Sequence, residues 1–340
     1  MLGKCQTSLD FRSLNRTFAD DMGQRIITFL KDWTLPIAML VGAVGYFVYV
    51  NIPFLDGTHE FANETIAIVQ PLLLFAILFL TFCKVEPRDL RLSAWQGWVL
   101  VFQTVTFIAC ALLIQQLDDP HWKVVVEGGM LCLICPTATA AAVVTRKLGG
   151  NAGTLMAYTI VINLAVAVMV PLVIPLIHPH PGETFLRSFM TIILRVFPLL
   201  LGPFFLSVVL RWFSRRTTER LAQSRDLPFY LWSVGLALAI AVTVKSIVHS
   251  HMPWGYQVAI AAVSLLTCIV QFAFGRLMGK RDQDPISAAQ ACGQKNTVFA
   301  IWMGYTFMTP VTSIAGGFYC IWHNAYNSWQ MYRKKVRSEK

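Results

Sequence analysis

The chain has 340 residues, 56% of them hydrophobic and only 14% charged, a balance that excludes an ordinary soluble domain and points to lipid. Its formal charge of +10 does not mark a nucleic-acid binder, because the lysines and arginines are scattered through short connections between apolar stretches. Eight cysteines suggest neither disulfides nor a redox or metal centre; Cys132 and Cys135 have CxxC spacing but lie in a bilayer-buried run without zinc or thioredoxin context. No cofactor is expected.

The opening residues, MLGKCQTSLDFRSLNRTFADDMGQ, are too polar for the core of a signal peptide. Residues 1–32 are therefore expected to form a cytoplasmic segment, with the first span serving as the insertion signal. Ten stretches follow that are apolar enough to cross a bilayer core of ~30 Å at ~1.5 Å per helical residue. They cover about 33–53, 64–83, 93–116, 122–146, 152–178, 184–212, 228–249, 255–279, 284–306 and 309–332.

Basic residues fall in every second connection: Lys84, Arg88 and Arg91; Arg146 and Lys147; Arg211, Arg215, Arg216, Arg220 and Arg225; Arg276, Lys280 and Arg281. The intervening connections carry Asp56, Glu60 and Glu64, then Asp118 and Asp119, then His178, His180 and Glu183, then the turn from His249 to His251, then an uncharged Met308-Thr309-Pro310 turn. By the positive-inside rule the basic loops, Lys31, and a tail at 333–340 with Lys334, Lys335 and Arg337 are cytoplasmic. Both termini then share that side, and the short tails favour a bacterial inner membrane.

Two spans carry helix-breaking clusters at mid-membrane depth. The fourth reads VVVEGGMLCLICPTATAAAVVTRKLGGN, where Pro136 removes a backbone donor just before Thr137, Thr139 and several small residues. The ninth reads DPISAAQACGQKNTVFAIWMGY, with Gly293, Gln294, Lys295 and Asn296 inside apolar sequence. Each should unwind locally. The interruptions stand roughly 155–160 residues apart, in the fourth span of each five-span half, 33–178 and 184–332. The expected fold is thus an all-α polytopic membrane protein of ten transmembrane helices, in two inverted five-helix repeats with helices 4 and 9 broken. In that arrangement broken helices meet near the midplane, where N-terminal half-helix ends attract anions and freed carbonyls attract cations.

At these segments the sequence resembles the bile acid:sodium symporter family. The matching strings are ICPTATAAAVVT followed by GGN, then GQKN, then FYCIWHN in the tenth span, with LTFCKVEPRDLR fitting the cytoplasmic turn after the second. The resemblance implies a core domain of spans 3–5 and 8–10, a panel domain of spans 1–2 and 6–7, alternating access between them, and organic anions as substrates. Family members commonly couple to sodium beside the crossing of the broken helices. This chain departs from that pattern. Ala141 and Ala142 stand where the family has a Ser-Asn pair, Ala291 where it has a Glu, and Lys295 where a sodium-binding Gln precedes the motif's Asn. Gln103 and Thr159 fit sodium-linked positions but are too few to rebuild either site, and a hard cation is repelled by an ammonium.

An ionisable group within a bilayer costs about 2.5–3.5 kcal/mol on insertion scales and is usually functional, which singles out Lys295. Three roles stay open for it: a fixed charge that replaces sodium and holds an anionic substrate, a proton carrier, or a lysine that ties exposed carbonyls at the break. Thr137, Thr139, Asn296 and Thr297 join it as substrate-binding residues because they flank the breaks. The ion-coupling set is Lys295, Gln103, Thr159 and Glu127. Glu127 either pairs with Lys295, lines an outward vestibule or sits near the interface. His323 and Asn324 are expected to support the crossing from the tenth span, and Lys245 to snorkel near the outer end of the seventh.

The expected function is secondary active transport of an organic anion, with coupling to protons favoured over sodium. Alternatives are a sodium-coupled symporter with a remodelled ion site and a non-transporting receptor or scaffold. No HExxH, GxSxG, paired-carboxylate or Walker signature supports an enzyme or a nucleotide-driven pump.

Overall fold

The computed structural model describes residues 34–338 apart from Pro87, Asp89, His180, Pro181, Arg225 and Asp226. The expected segment 1–32, Lys31, His180, Arg225 and the last two tail residues therefore lie outside the described residues. The described chain is predominantly helical, as its long apolar runs dictate. Helix α1 covers Thr34–Val50; a 3-10 turn at Pro53–Thr58 leads into α2 (His59–Cys83); α3 (Ala94–Gln116), α4 (Pro120–Ile134), α5 (Ala141–Leu148) and α6 (Ala152–Ile177) follow. Then come α7 (Phe185–Phe213), α8 (Arg215–Gln223), α9 (Leu227–Val248), α10 (Trp254–Arg281), α11 (Pro285–Gly293), α12 (Thr297–Phe307) and α13 (Ser313–Ser338). Six helical stretches, those ending at Cys83, Gln116, Ile177, Phe213, Val248 and Arg281, are long and apolar enough to cross a membrane, and Pro36–Val50 and Thr297–Phe307 are shorter apolar helices.

Helix starts are set by local chemistry. Asp119 caps α4, accepting from His121 N at 2.7 Å, with Pro120 in the first turn. Asn151 caps α6 through Gly153 N and Thr154 N. The start of α3 is capped from far along the chain: Asp282 accepts from Ser93 Oγ at 2.7 Å and from Trp95 N at 2.8 Å. Those bonds hold the Asp282 carboxyl below the usual carboxylate range. Helix α5 ends on Gly149 at φ +90°, a left-handed cap that favours glycine. The tail expected from residue 333 continues as helix, since α13 runs to Ser338.

Most helices are apolar on more than one side, as lipid-facing helices should be. Leu40, Val44 and Phe47 on α1, Val101 and Val105 on α3, and Leu194 and Phe205 on α7 are exposed. The interior is filled by Trp95, Phe107, Met130, Leu131, Leu155 and Tyr158, all fully buried. Helix α9 packs on α1 and α2, α2 on α7, and α7 on α6, while α10 lies against α4, α11 and α13.

Candidate functional site

Both interruptions occur where the sequence predicts them, and they meet. Helix α4 stops at Ile134 and α11 at Gly293; beyond each, the backbone turns extended at Cys135 (ψ 136°) and Gln294 (ψ 94°). Ala138 N donates to Gln294 O at 2.8 Å and Asn296 N to Pro136 O at 2.8 Å, an antiparallel bridge centred on Thr137 and Lys295. Thr137 Oγ1 donates to Ala291 O at 2.7 Å, and Cys135 Sγ to Asn296 O at 2.9 Å. Backbone groups that lipid could not satisfy are thus satisfied by the opposite break.

Behind the bridge lies a polar network in which every member is buried. Lys295, 1% exposed, donates from Nζ to Leu133 O at 3.2 Å, a carbonyl freed by the end of α4. Gln103 Nε2 reaches the same oxygen at 3.2 Å and Gln271 Oε1 at 3.2 Å, while Tyr158 OH donates to Gln103 Oε1. Gln271 Nε2 donates to Cys132 O at 3.2 Å and to Tyr319 OH at 3.0 Å, and Tyr319 OH closes the chain on Gly293 O at 2.7 Å. Among the described residues no carboxylate lies within ion-pair distance of Lys295.

The structure brings together some of the expected residues and separates others. Pro136, Thr137, Gly293, Lys295 and Asn296 share the crossing. Asn296 caps α12 by accepting from Phe299 N at 3.2 Å, and Thr297 opens that helix. Gln103 reaches the network around Lys295, but Thr159 turns back to its own helix and donates to Leu155 O at 2.9 Å. Glu127 is buried and finds other partners than Lys295: His178 Nε2 stands 3.1 Å away and Thr312 Oγ1 donates to it at 2.9 Å. His323 meets Tyr319 edge-on, and Asn324 Nδ2 donates to Cys320 O in its own helix at 2.7 Å. The support expected from those two is given to the break by Tyr319, which sequence reasoning missed together with Gln271 and Tyr158. A glutamine inside the apolar run of α10 was the available signal. Gly293 has no left-handed backbone; a Cβ there would collide with the Phe272 ring, so its small size lets α11 and α10 approach.

A cavity of about 790 Å³ opens beside the crossing. Its inner end holds Thr139, Ala140 and Ala142, and its mouth holds Lys84, Arg88, Arg91 and Arg146 with one acid, Glu86. Arg88 pairs with Glu86, which leaves the lining net positive. Burial, and then the charge of Arg146, push the Lys84 ammonium below its ordinary value. The first turn of α5 faces this space without a side-chain cap at Ala140, whereas α12 is capped by its own Asn296. Of the first-turn N–H groups, Ala141 N already donates to Ala138 O and Val143 N to Ala140 O, so what the inner end offers an anion is the positive end of the helix dipole and the hydroxyl of Thr139. Of the expected substrate-binding residues, Thr139 lines the cavity; Lys295 points away from it toward Leu133.

Comparison with known families gives a match over residues 88–317, more than half of the chain, to the model of the SBF-like CPA transporter family. No curated protein matches the chain significantly.

Proposed function

This chain belongs to the SBF-like CPA transporter family and is a multi-pass membrane transporter, and on that premise we propose that it is a secondary active transporter of a small organic anion. In this reading ten spans form two inverted five-helix repeats. Spans 3–5 and 8–10 make the moving core and spans 1–2 and 6–7 the panel, with alternating access between them. The packing of α9 on α1 and α2, and of α2 on α7, supports that division, with the α6–α7 contact as the joint between the two bodies. So does the position of the cavity, between Ile77, Pro228 and Trp232 on one wall and Thr139, Arg146 and Met156 on the other.

One observation carries the proposal. A cavity ringed by cytoplasmic-side basic residues leads inward to the uncapped start of α5, next to a crossing of two broken helices. The basic mouth raises the local anion concentration, and the inner end supplies the positive end of the α5 dipole together with the Thr139 hydroxyl. Thr137, Asn296 and Thr297 lie one layer deeper, as the groups an anion meets when the crossing opens.

Coupling to protons is favoured over sodium. Ala141, Ala142 and Ala291 offer no side-chain oxygen where sodium ligands are expected, and the network beside them already holds an ammonium. Lys295 is then the coupling residue, a permanent or exchangeable replacement for the bound cation, with Gln103 as its neighbour. Burial of a cation on a single carbonyl is costly enough that a change in its charge would redistribute bonds across the whole network. Glu127, paired with His178, is assigned to the outer half of the same core. The membrane is a bacterial inner membrane, with basic loops and both termini inside.

Flux in proteoliposomes tests this. Accumulation of anions driven by a pH gradient and indifferent to sodium is expected, and Lys295→Gln should uncouple uptake from the gradient while the protein stays folded. Strict sodium dependence would establish the remodelled-site symporter instead, and no flux over a broad anion panel would establish a receptor. Wild-type uptake by Lys295→Gln would remove the lysine from the mechanism.

A further inference from the structure

We propose that a second pocket, at the far end of the same seam from the basic cavity, binds a small aromatic carboxylate. Its place in a transport cycle rests on the reading above; its chemistry does not. The pocket has a volume of about 230 Å³ and lies between α1, α2, α9 and α12. Its cation is Lys245, whose Nζ donates to Asn63 Oδ1 at 2.6 Å, lies 3.5 Å from Tyr305 OH and sits 5.9 Å from the Tyr305 ring centroid. The pocket has no acidic lining residue, and among the described residues no carboxylate pairs with Lys245. Its position over a ring and against an amide oxygen places it in the wall of this pocket.

A second, independent feature is Gln70. It is 3% exposed, lines the same pocket, and its Nε2 is buried with no hydrogen-bond partner. A buried donor is costly to leave without an acceptor. A carboxylate spanning Lys245 and Gln70 satisfies both groups at once. The remaining walls are aromatic, with Tyr46 and Trp302 beside Tyr305. Flat walls around one cation select a planar acid over an aliphatic one. The volume falls below the ~300–1,000 Å³ of sites for drug-sized ligands, so a single ring with its carboxylate fits and a sterol conjugate does not.

Location adds a role. Along α2, Gln70 borders this pocket and Ile77 borders the basic cavity, a separation of roughly 10 Å at 1.5 Å per residue. The gap is filled by Leu74, Ala239, Val242, Val298 and Ile301, all buried and apolar. A carboxylate in the small pocket therefore reaches the large one only when α2 and α9 part from α12. The pocket is a holding site on the side closed off from the cytoplasmic-side cavity.

The test is equilibrium dialysis of the purified full-length protein with radiolabelled benzoate. Saturable benzoate binding is expected, with benzamide weaker by at least about tenfold, a difference of ~1.4 kcal/mol. Lys245→Gln should weaken benzoate by a similar factor, and Lys245→Arg should keep it within about threefold. No saturable binding, equal binding of benzoate and benzamide, or unchanged affinity in Lys245→Gln would each overturn the proposal. Should Lys245→Gln not fold, the benzoate to benzamide ratio on the unaltered protein still decides. Benzoate binding without anion flux would defeat the transport reading alone; flux without benzoate binding would defeat the pocket alone.

Discussion

Pro136 coincides with a broken backbone, whereas five prolines in the interiors of α2, α6 and α7 do not. Pro71 in α2, Pro171 and Pro175 in α6, and Pro198 and Pro203 in α7 all lie inside continuous helices. Each removes a donor just as Pro136 does. The difference is what stands opposite. At Pro136 a second extended segment offers Asn296 N and Gln294 O, so the chain exchanges helical bonds for a bridge. In α6 and α7 the neighbours are apolar side chains such as Ile192 and Val196, and continuing the helix is the only way to keep the rest of the backbone paired. Proline marks where a helix is weak; a partner decides whether it opens.

That comparison can be broken in order of expected effect. Gly293→Ala should cost the most, about 1–3 kcal/mol, because the added methyl meets the Phe272 ring and drives α11 off α10. Thermal unfolding in detergent measures it, and an unchanged midpoint would show that the close approach is not required. Thr137→Val comes next, since it strands the Ala291 carbonyl at the crossing; a loss of about 1–2 kcal/mol is expected in the same measurement. Pro136→Ala should change stability by less than ~1 kcal/mol, because the bridge and not the ring holds the break. Reduced cysteine labelling or hydrogen exchange that reports a healed helix would refute this.

Asp282→Asn sharpens the contrast at the rim. Hydrogen bonds from Ser93 and Trp95 hold the carboxyl below its ordinary value of 3.8, so its stabilisation is complete above that pH and fades as the pH falls through the lower folded value. The variant should melt under about 2 °C lower at neutral pH, with the gap closing in strong acid. A gap that persists there would mean that the bonds, not the charge, matter.

Much of this was legible in the chain. Pro136 and the Gly293-Gln294-Lys295-Asn296 run located both breaks because each puts polar or helix-averse residues where lipid penalises them. The basic connections that carry Lys84, Arg88, Arg91 and Arg146 were legible too, though that the four residues line one cavity was not. What stayed hidden depends on direction and distance. The aim of the Lys295 side chain is fixed by where Leu133 O is freed, and Glu127 meets His178 across a gap of 51 positions. Local spacing carries neither. Asn324 misled because an asparagine in a helix readily bonds a carbonyl one turn back, here that of Cys320, and so needs no distant partner. Tyr319, with a longer reach, makes the cross-helix bond to Gly293 O.

The short connection between α10 and α11 ties distant parts of the sequence together. Asp282 grips the start of α3, Asp284 Oδ2 accepts from Thr154 Oγ1 at 2.6 Å, and Ser287 Oγ accepts from Asn151 N at 2.7 Å at the start of α6. These clasps join the second broken helix to the starts of α3 and α6. Sliding α11 along its axis must therefore drag α3 and α6 with it or tear several short bonds at once. A load applied at the Thr137–Lys295 bridge is shared with α3 and α6 through these bonds.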